Sequence, residues 1–133
     1  MKYLILGSRG QIGSSLSEYL ISEGQDVDHF DIVDGESFDL RVSNSEALNQ
    51  AVSESDFVFF LAFDVGGSTY LSKYQHSYAF LHNNMRIMAN TFETLKHVGT
   101  PFLFASSQMS NMSDSPYGIT KLVGELYARQ LDG

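Results

Sequence analysis

The sequence contains no cysteine and few basic residues, and each of these facts argues against certain classes of function. Without cysteine there is no disulfide framework and no thiolate chemistry, which is compatible with a reducing compartment. Eight Lys and Arg residues stand against sixteen Asp and Glu residues, for a formal net charge of -8. Because phosphate neutralisation needs clustered Lys and Arg, this balance argues against nucleic acid and against an anionic membrane surface as partners.

A long apolar run is also missing from the N-terminus, where MKYLILGSRG has one Lys and an apolar run of four residues. A signal peptide needs a longer apolar region, and a membrane span needs about 20 apolar residues. We therefore expect a soluble, cytoplasmic protein. No repeat, linker or low-complexity tract divides the 133 residues, so one domain with its own core is expected.

Short apolar runs alternate with helical patterns along the chain. The predicted strands cover residues 2–6, 26–32, 37–40, 56–63 and 101–105. The predicted helices cover residues 12–23, 44–54, 77–97 and 116–131. This alternation predicts an α/β domain with a parallel sheet and helices on both faces.

Helical spacing also predicts which side of two helices is buried. In the first helix the expected face consists of Ile12, Leu16, Tyr19 and Leu20. In the long helix at 77–97 it consists of Phe80, Asn84, Ile87, Met88, Thr91 and Leu95.

A glycine-rich turn, GSRGQIG, follows the first strand and opens the first helix. Gly7, Gly10 and Gly13 allow a tight turn, a close approach of the backbone to a pyrophosphate, and close packing of the helix on the strand. Free amides at the helix N-terminus would then face the phosphates. The spacing is G-x-x-G-x-x-G, which differs from the usual G-x-G-x-x-G fingerprint. A tight structural turn is the alternative, but the strand-to-helix position favours dinucleotide binding.

Asp31 lies 18 residues after Gly13, at the end of the second predicted strand. A carboxylate there can accept hydrogen bonds from the adenosine ribose hydroxyls and would repel a 2′-phosphate. No Arg or Lys occurs from Phe30 to Leu40, so the sequence favours NAD over NADP. Asp28 and Asp34 are alternatives for the same role, and a solvated strand-end aspartate without a ligand is the third.

The segment SPYGITKLVGE places Tyr117 and Lys121 four residues apart, on one face of a helix. A free tyrosine has a pKa of about 10, and a nearby ammonium lowers the pKa of a phenol by favouring the phenolate. The pair therefore suits general acid/base catalysis. Alone, a Tyr-x-x-x-Lys spacing is more often an ordinary helix surface.

Two serines strengthen the catalytic interpretation. Ser106 and Ser107 come just after the last predicted strand, and ligands of open α/β sheets bind outside the carboxyl ends of the strands. A serine there can hydrogen-bond the substrate hydroxyl that the tyrosine deprotonates. The alternative is that these serines only end the strand and cap a turn.

In this order, GSRGQIG, Asp31, FDL, VFFLAF, NNMRIMAN, FLFASSQ and SPYGITKLVGE resemble the extended short-chain dehydrogenase/reductases. Within them, the sequence is similar to the NAD-dependent sugar-nucleotide epimerases and dehydratases, from residue 1 to about residue 131. The resemblance implies a Rossmann-like, doubly wound parallel sheet of about five strands.

The resemblance also implies roles for individual residues and no metal site. The implied catalytic residues are Ser107, Tyr117 and Lys121. Asn84 matches an asparagine that supports the active site, and VGG at 65–67 resembles a loop over the substrate. The implied NAD-binding residues are Gly7, Gly10, Gln11, Ile12, Gly13, Asp31, Asp39, Leu40, Leu61, Ala62, Phe63, Asn84, Tyr117 and Lys121.

The implied reaction is a transient oxidation of a nucleotide-sugar substrate. Tyr117 takes a proton from a sugar hydroxyl while the carbon beneath it gives hydride to NAD. Lys121 holds the nicotinamide ribose and keeps Tyr117 acidic, and Ser107 steadies the hydroxyl. A homodimer through helices 77–97 and 116–131 is also implied, with Met85, Met88, Phe92 and Tyr127 as apolar residues available either to it or to the core.

The sequence departs from the resembled pattern in three places. Phe63 and Asp64 stand where small or neutral residues are usual, and only nine residues separate Ser107 from Tyr117. Family members also continue into further strands and a small C-terminal substrate lobe. We therefore expect the 133 residues to be a truncated product or an isolated cofactor domain, and a natural miniature completed by a partner is the alternative.

Three functions remain open from the sequence. The first is a sugar-nucleotide epimerase or dehydratase, or its cofactor half, which is inactive alone if it lacks the grip on the substrate. The second is a binding module that holds NAD without turnover. The third, weaker one is a reductase of a small carbonyl compound.

Overall fold

Four parallel strands form the sheet of the computed structural model, which describes residues 1–65, 70–112 and 114–131. The strands are β1 (Lys2–Leu6), β2 (Asp26–Phe30), β3 (Phe57–Phe60) and β4 (Phe102–Phe104). Their order across the sheet is β2-β1-β3-β4. The chain passes from β1 to β2 on one side of β1, and β3 then pairs with the other side of β1. At this change in strand order, the carboxyl ends of β1 and β3 flank a crevice. The predicted Rossmann-like α/β class is confirmed.

In the same described ranges, five helices connect and cover the strands. They are α1 (Gln11–Ser22), α2 (Glu46–Ser53), α3 (Leu71–Tyr74), α4 (Tyr78–Val98) and α5 (Pro116–Leu131). Short 3-10 turns occupy Ile32–Asp34, Glu36–Phe38 and Gln108–Asn111. No helix in the described part of the chain is both long and apolar enough to span a membrane.

The prediction of a short strand at 37–40 is wrong, because a 3-10 turn takes its place. Gly35 has a φ of +141°, a backbone conformation that favours glycine, and it redirects the chain directly before the turn. Phe38 then packs edge-on against Phe30 at the end of β2, with ring centroids 5.0 Å apart. The sheet therefore has four strands in the described residues, compared with the five expected.

The main core lies between one face of the sheet and helices α2, α4 and α5. Alternate strand residues point into it, and Leu4, Leu6, Val58 and Phe60 are fully buried there. The side of α4 predicted to be buried is confirmed, since all six of its residues are buried.

The buried face of α1 differs from the predicted one. Gly13, Ser17 and Leu20 are buried, whereas Ile12 and Tyr19 are 70% and 61% exposed. The difference arises because the glycine turn brings the start of α1 so close to β1 that only residues without bulk fit beneath it. Ile12 consequently lies at the mouth of the cleft described below.

Helices α4 and α5 pack closely against each other and against β4. The rings of Phe92 on α4 and Tyr127 on α5 stack with centroids 4.9 Å apart and an interplanar angle of 8°. A Cβ at Gly124 would overlap the ring of Phe104, so glycine permits this close approach of α5 to β4. The packing fixes the face of α5 that carries Tyr117 and Lys121.

Candidate functional site

A cleft of about 520 Å³ runs along the carboxyl ends of the strands. One end, here called the glycine-turn end, is formed by Gly7, Gly10, Gly13 and Asp31. The other, here called the tyrosine end, is formed by Phe63, Tyr117 and Lys121. The remaining predicted residues that line the cleft are Gln11, Ile12, Asp39, Leu40, Leu61 and Ala62. Thus the structure brings together all predicted site residues except Asn84 and Ser107.

The glycine turn is closely packed at two of its three glycines. Gly7 has a φ of +88°, and a Cβ on it would lie 2.9 Å from backbone atoms of Ala62. A Cβ on Gly13 would overlap the carbonyl oxygen of Gly7. Gly10 is different, because a Cβ there would meet only the Gly7 oxygen at 3.4 Å and would otherwise project into open space.

The start of α1 offers the cleft amides that have no hydrogen-bond partner among the described residues. Its N-cap is Gly10, whose missing side chain makes no capping hydrogen bond. The first amides of a helix have no partner within the helix, and they carry the positive end of its dipole. Since Gln11, Ile12 and Gly13 line the cleft, these amides form a cradle that fits a diphosphate group. The observed geometry therefore agrees with a dinucleotide at this end.

Asp31 is fixed by two backbone amides. Its Oδ2 accepts a hydrogen bond from the Arg9 amide at 2.9 Å, and its Oδ1 accepts one from the Val33 amide at 3.0 Å. The alternatives for its role do not line the cleft, because Asp28 pairs with Lys2 and Asp34 pairs with Arg9. Of the three candidate aspartates, only Asp31 faces the cleft.

Two arginines at this end were missed by sequence reasoning. Arg9 Nε lies 3.1 Å from Asp34 Oδ2, and Arg41 Nε lies 2.9 Å from Asp39 Oδ1. Hydrogen bonds from Arg41 hold the pKa of Asp39 below its usual value. Neither lies between Phe30 and Leu40, since Arg9 belongs to the glycine turn and Arg41 directly follows Leu40. Both guanidinium groups are already paired with carboxylates.

The segment after β3 is held by Asn84, which is fully buried. Asn84 Oδ1 accepts from the Asp64 amide at 2.6 Å, and its Nδ2 donates to the Asp64 carbonyl at 2.7 Å. Asn84 therefore shapes the cleft wall through Asp64 without lining the cleft itself. The carboxylate of Asp64 accepts from Tyr74 and Asn83, and the hydrogen bond to Asp64 raises the pKa of Tyr74.

Tyr117 and Lys121 lie one helical turn apart in α5 and both line the cleft. Lys121 is only 4% exposed, and its Nζ donates to the Ala105 carbonyl at 2.9 Å. Burial lowers the pKa of Lys121 to about 8. The ring of Tyr117 packs edge-on against Phe63, with centroids 5.9 Å apart.

The start of α5 is capped by two side chains, one of them from the residue that follows α3. Ser115 Oγ accepts from the Gly118 amide at 3.0 Å. Gln75 Oε1 accepts from the Tyr117 amide at 3.1 Å and from the Ser115 hydroxyl at 3.0 Å. Gln75 thus satisfies a free N-terminal amide of the helix that carries Tyr117. Sequence reasoning missed it, because Gln75 and Tyr117 are distant along the chain.

The two serines have different positions. Ser106 is exposed and lines the cleft. Ser107 does not line it, and its Oγ accepts from the Met109 amide at 3.1 Å, capping the 3-10 turn at Gln108–Asn111. This turn packs against the start of α5 so closely that a Cβ on Gly118 would overlap the Met109 carbonyl. Of the segment VGG at 65–67, Val65 lines the cleft, and Gly66 and Gly67 lie outside the described residues.

Comparison with known proteins assigns the family. The model of the NAD dependent epimerase/dehydratase family matches residues 3–132. The chain belongs to this family. No curated protein matches the chain.

Solved structures of several sugar-nucleotide and related enzymes have the same fold. A short-chain dehydrogenase/reductase superfamily protein from Agrobacterium tumefaciens with bound NAD is 25% identical, with a TM-score of 0.71 over 98% of this chain and 44% of its own. A UDP-glucose 4-epimerase from Thermus thermophilus in complex with NAD is 20% identical, with a TM-score of 0.73 over 98% of this chain and 50% of its own.

A third neighbour, a GDP-L-fucose synthetase from Naegleria fowleri bound to NADP, is 18% identical. Its TM-score is 0.76, over 98% of this chain and 47% of its own. The chain therefore spans about half the length of the solved structures it matches.

Proposed function

We propose that this chain is the NAD-binding and catalytic part of a nucleotide-sugar epimerase or dehydratase. The observation that carries the proposal is the one cleft that joins the glycine-turn amides, Asp31 and the Tyr117–Lys121 pair. Family membership supports the reaction class, and neighbours named for UDP-glucose or GDP-L-fucose support the substrate class. The proposal includes a cytoplasmic location.

NAD would lie with its diphosphate at the amides of Gln11, Ile12 and Gly13 and its adenosine ribose at Asp31. When bound, it supplies the hydride acceptor and later returns the hydride. NAD is favoured over NADP, because the Asp31 carboxylate would repel a 2′-phosphate and both nearby arginines are paired with Asp34 and Asp39.

The chain's own residues would move the proton. Tyr117 takes it from the sugar hydroxyl as general base and gives it back as general acid. Lys121 stabilises the phenolate through its charge. Ser107 does not line the cleft and its oxygen accepts from the Met109 amide, so its proposed role requires its hydroxyl hydrogen to reach the substrate. Ser106, which lines the cleft, is the competing serine.

The proposed homodimer would use the outer faces of α4 and α5. Met88 and Phe92 are fully buried in the core and do not serve it. Exposed apolar residues on these helices are Tyr78, Leu81, Ile119, Leu122, Leu126 and Tyr127. A symmetric contact would bury this surface.

The experiment is a calorimetric titration with NAD and NADP, followed by UDP- and GDP-sugars added to the NAD-loaded protein. The proposal predicts NAD binding and heat from at least one nucleotide-sugar. Absorbance of the reduced nicotinamide then reports hydride transfer, which Tyr117→Phe should abolish without weakening NAD. No NAD binding contradicts the proposal.

A non-catalytic NAD-binding module is the second candidate. The observation that favours it is that the chain spans only about half of the matched structures. NAD binding without any nucleotide-sugar binding would support it. A small carbonyl reductase would instead consume reduced cofactor with a simple ketone and not return the hydride.

A further inference from the structure

Lys121 is a buried cation without a carboxylate partner among the described residues. Its exposed fraction is 4%, and no carboxylate oxygen in the described ranges lies within 4 Å of its Nζ. An ammonium has three donors, and the Ala105 carbonyl accepts from this one at 2.9 Å. Burying a charge is costly unless it is paired or otherwise stabilised, so something else must hold this ammonium.

The ring of Phe63 is the nearest aromatic face. Lys121 Nζ lies 3.8 Å from the centroid of Phe63, compared with 5.1 Å from Phe104 and 5.9 Å from Tyr117. A cation over an aromatic face is attracted by the ring's quadrupole, and the attraction is stronger where the site is dry. Phe63 is therefore positioned to stabilise the ammonium in place of a carboxylate.

The same ring also contacts Tyr117. The two rings are 5.9 Å apart at an interplanar angle of 88°, so Phe63 presents its face to Lys121 and packs edge-to-face with Tyr117. The backbone next to Phe63 is held in place, since Asn84 makes hydrogen bonds to both the amide and the carbonyl of Asp64. One ring thus contacts both members of the pair.

We propose that Phe63 is a positioning residue whose ring face holds the Lys121 ammonium beside Tyr117. The proposal rests on the proposed acid/base role of the Tyr117–Lys121 pair, and it gives a function to the aromatic residue that follows β3. A ring that merely fills space would be replaceable by any apolar side chain of similar volume.

The pKa of Lys121 distinguishes a Phe63 ring that stabilises the ammonium from a ring that only fills space. Burial lowers the pKa of Lys121 to about 8. The groups that face Nζ are the Ala105 carbonyl after β4, the Phe104 ring of β4, Phe63 after β3 and Tyr117 on its own helix. Because a ring face favours the ammonium, removing the quadrupole while keeping the bulk should lower this pKa further. Removing the bulk admits water and should raise it.

The experiment is an NMR pH titration of the full chain, without cofactor, labelled with ¹³C at the lysine side chains. The chain has four lysines, and Lys121→Met assigns the signal. Phe63→Leu should lower the Lys121 pKa by about one unit, because the attraction of the ring face for the ammonium is lost. Phe63→Ala should raise it. The matched control is Phe59→Leu on β3, whose ring contacts Tyr3 and Phe57 and which should leave the Lys121 pKa unchanged.

A second set of variants covers the case in which Phe63→Leu fails to fold. Ring-fluorinated phenylalanines at position 63 keep the shape and weaken the ring face step by step, so the Lys121 pKa should fall with each added fluorine. A Lys121 pKa that is the same in all these variants overturns the proposal. The NMR titration contains no cofactor. A failure of NAD binding in the calorimetric titration would therefore count against the proposed function, but not against the contact between Phe63 and Lys121.

Discussion

At the glycine-turn end of the cleft the surface for the diphosphate is made by backbone, whereas at the tyrosine end the catalytic surface is made by side chains. The first depends on missing Cβ atoms at Gly7 and Gly13, where any side chain would meet neighbouring backbone. The second depends on the contacts of Phe63, Gln75 and Lys121, which come from three separate segments. Backbone geometry is tied closely to a local motif, and side-chain geometry depends on the whole fold.

The largest expected effect separates two roles of glycine at the first end. Gly13→Ala should unfold or strongly destabilise the protein, by about 3 kcal/mol, because its Cβ overlaps the Gly7 carbonyl. Gly10→Ala should leave stability nearly unchanged, since a Cβ there meets only the Gly7 oxygen at 3.4 Å, but it should weaken NAD binding about 100-fold, since Gly10 lines the cleft. Urea unfolding and calorimetry measure the two quantities. Equal behaviour of the two variants would show that the turn is only structural.

The next effect concerns Lys121 at the tyrosine end. Its folded pKa of about 8 lies below the ordinary value of 10.5, so the unfolded chain binds more protons between these two pH values. Stability should therefore rise with pH across that window, by roughly 1–3 kcal/mol. Below about pH 8 the cost of burying the ammonium is fully present.

Urea unfolding of the wild type and of Lys121→Met at several pH values checks this prediction. The variant should be more stable than the wild type at neutral pH and should lose the rise above pH 8 that is due to residue 121. A rise of the same size in both proteins would show that Lys121 is not its source.

A smaller effect is expected from the helix cap at the tyrosine end. Gln75→Ala removes the acceptor for the Tyr117 amide and the Ser115 hydroxyl, at a cost of about 1–2 kcal/mol. Gln75→Glu keeps an acceptor oxygen and should be close to the wild type in urea unfolding. If both variants are destabilised equally, the acceptor role of Gln75 is wrong.

The smallest effect returns to the glycine-turn end. Asp31→Ala should weaken the binding of NAD about tenfold, because charge-assisted hydrogen bonds to the ribose are lost. It should weaken NADP less, because the repulsion of a 2′-phosphate disappears too. Asp31→Asn keeps one acceptor oxygen, so its affinity for NAD should lie between those of the wild type and Asp31→Ala. Calorimetric titration measures all three, and an unchanged ratio of NAD to NADP affinity would contradict the assignment.

The contrast between the two ends explains what the sequence could predict. The turn at GSRGQIG and the spacing of Tyr117 and Lys121 are local patterns that can be read directly from the sequence, and residues of both line the same cleft. The predicted strand at 37–40 failed because Gly35 and the packing of Phe38 on Phe30 decide that segment.

Two kinds of feature were not predictable from the sequence: contacts between distant segments, and the local geometry of irregular turns. Phe63 and Lys121 are 58 residues apart in sequence, and only the sheet brings their segments together. The pairing of Arg41 with Asp39 depends on how the chain turns after β2. The position of Ser107 depends on the 3-10 turn that its own hydroxyl caps.

The most direct test of the central claim, that one cleft holds NAD at one end and the catalytic pair at the other, is calorimetric titration of NAD into three proteins. The wild type and Tyr117→Phe should bind NAD with similar affinity, and Gly10→Ala should bind about 100-fold more weakly. An absence of binding to the wild type, or equal binding by Gly10→Ala, would contradict the account.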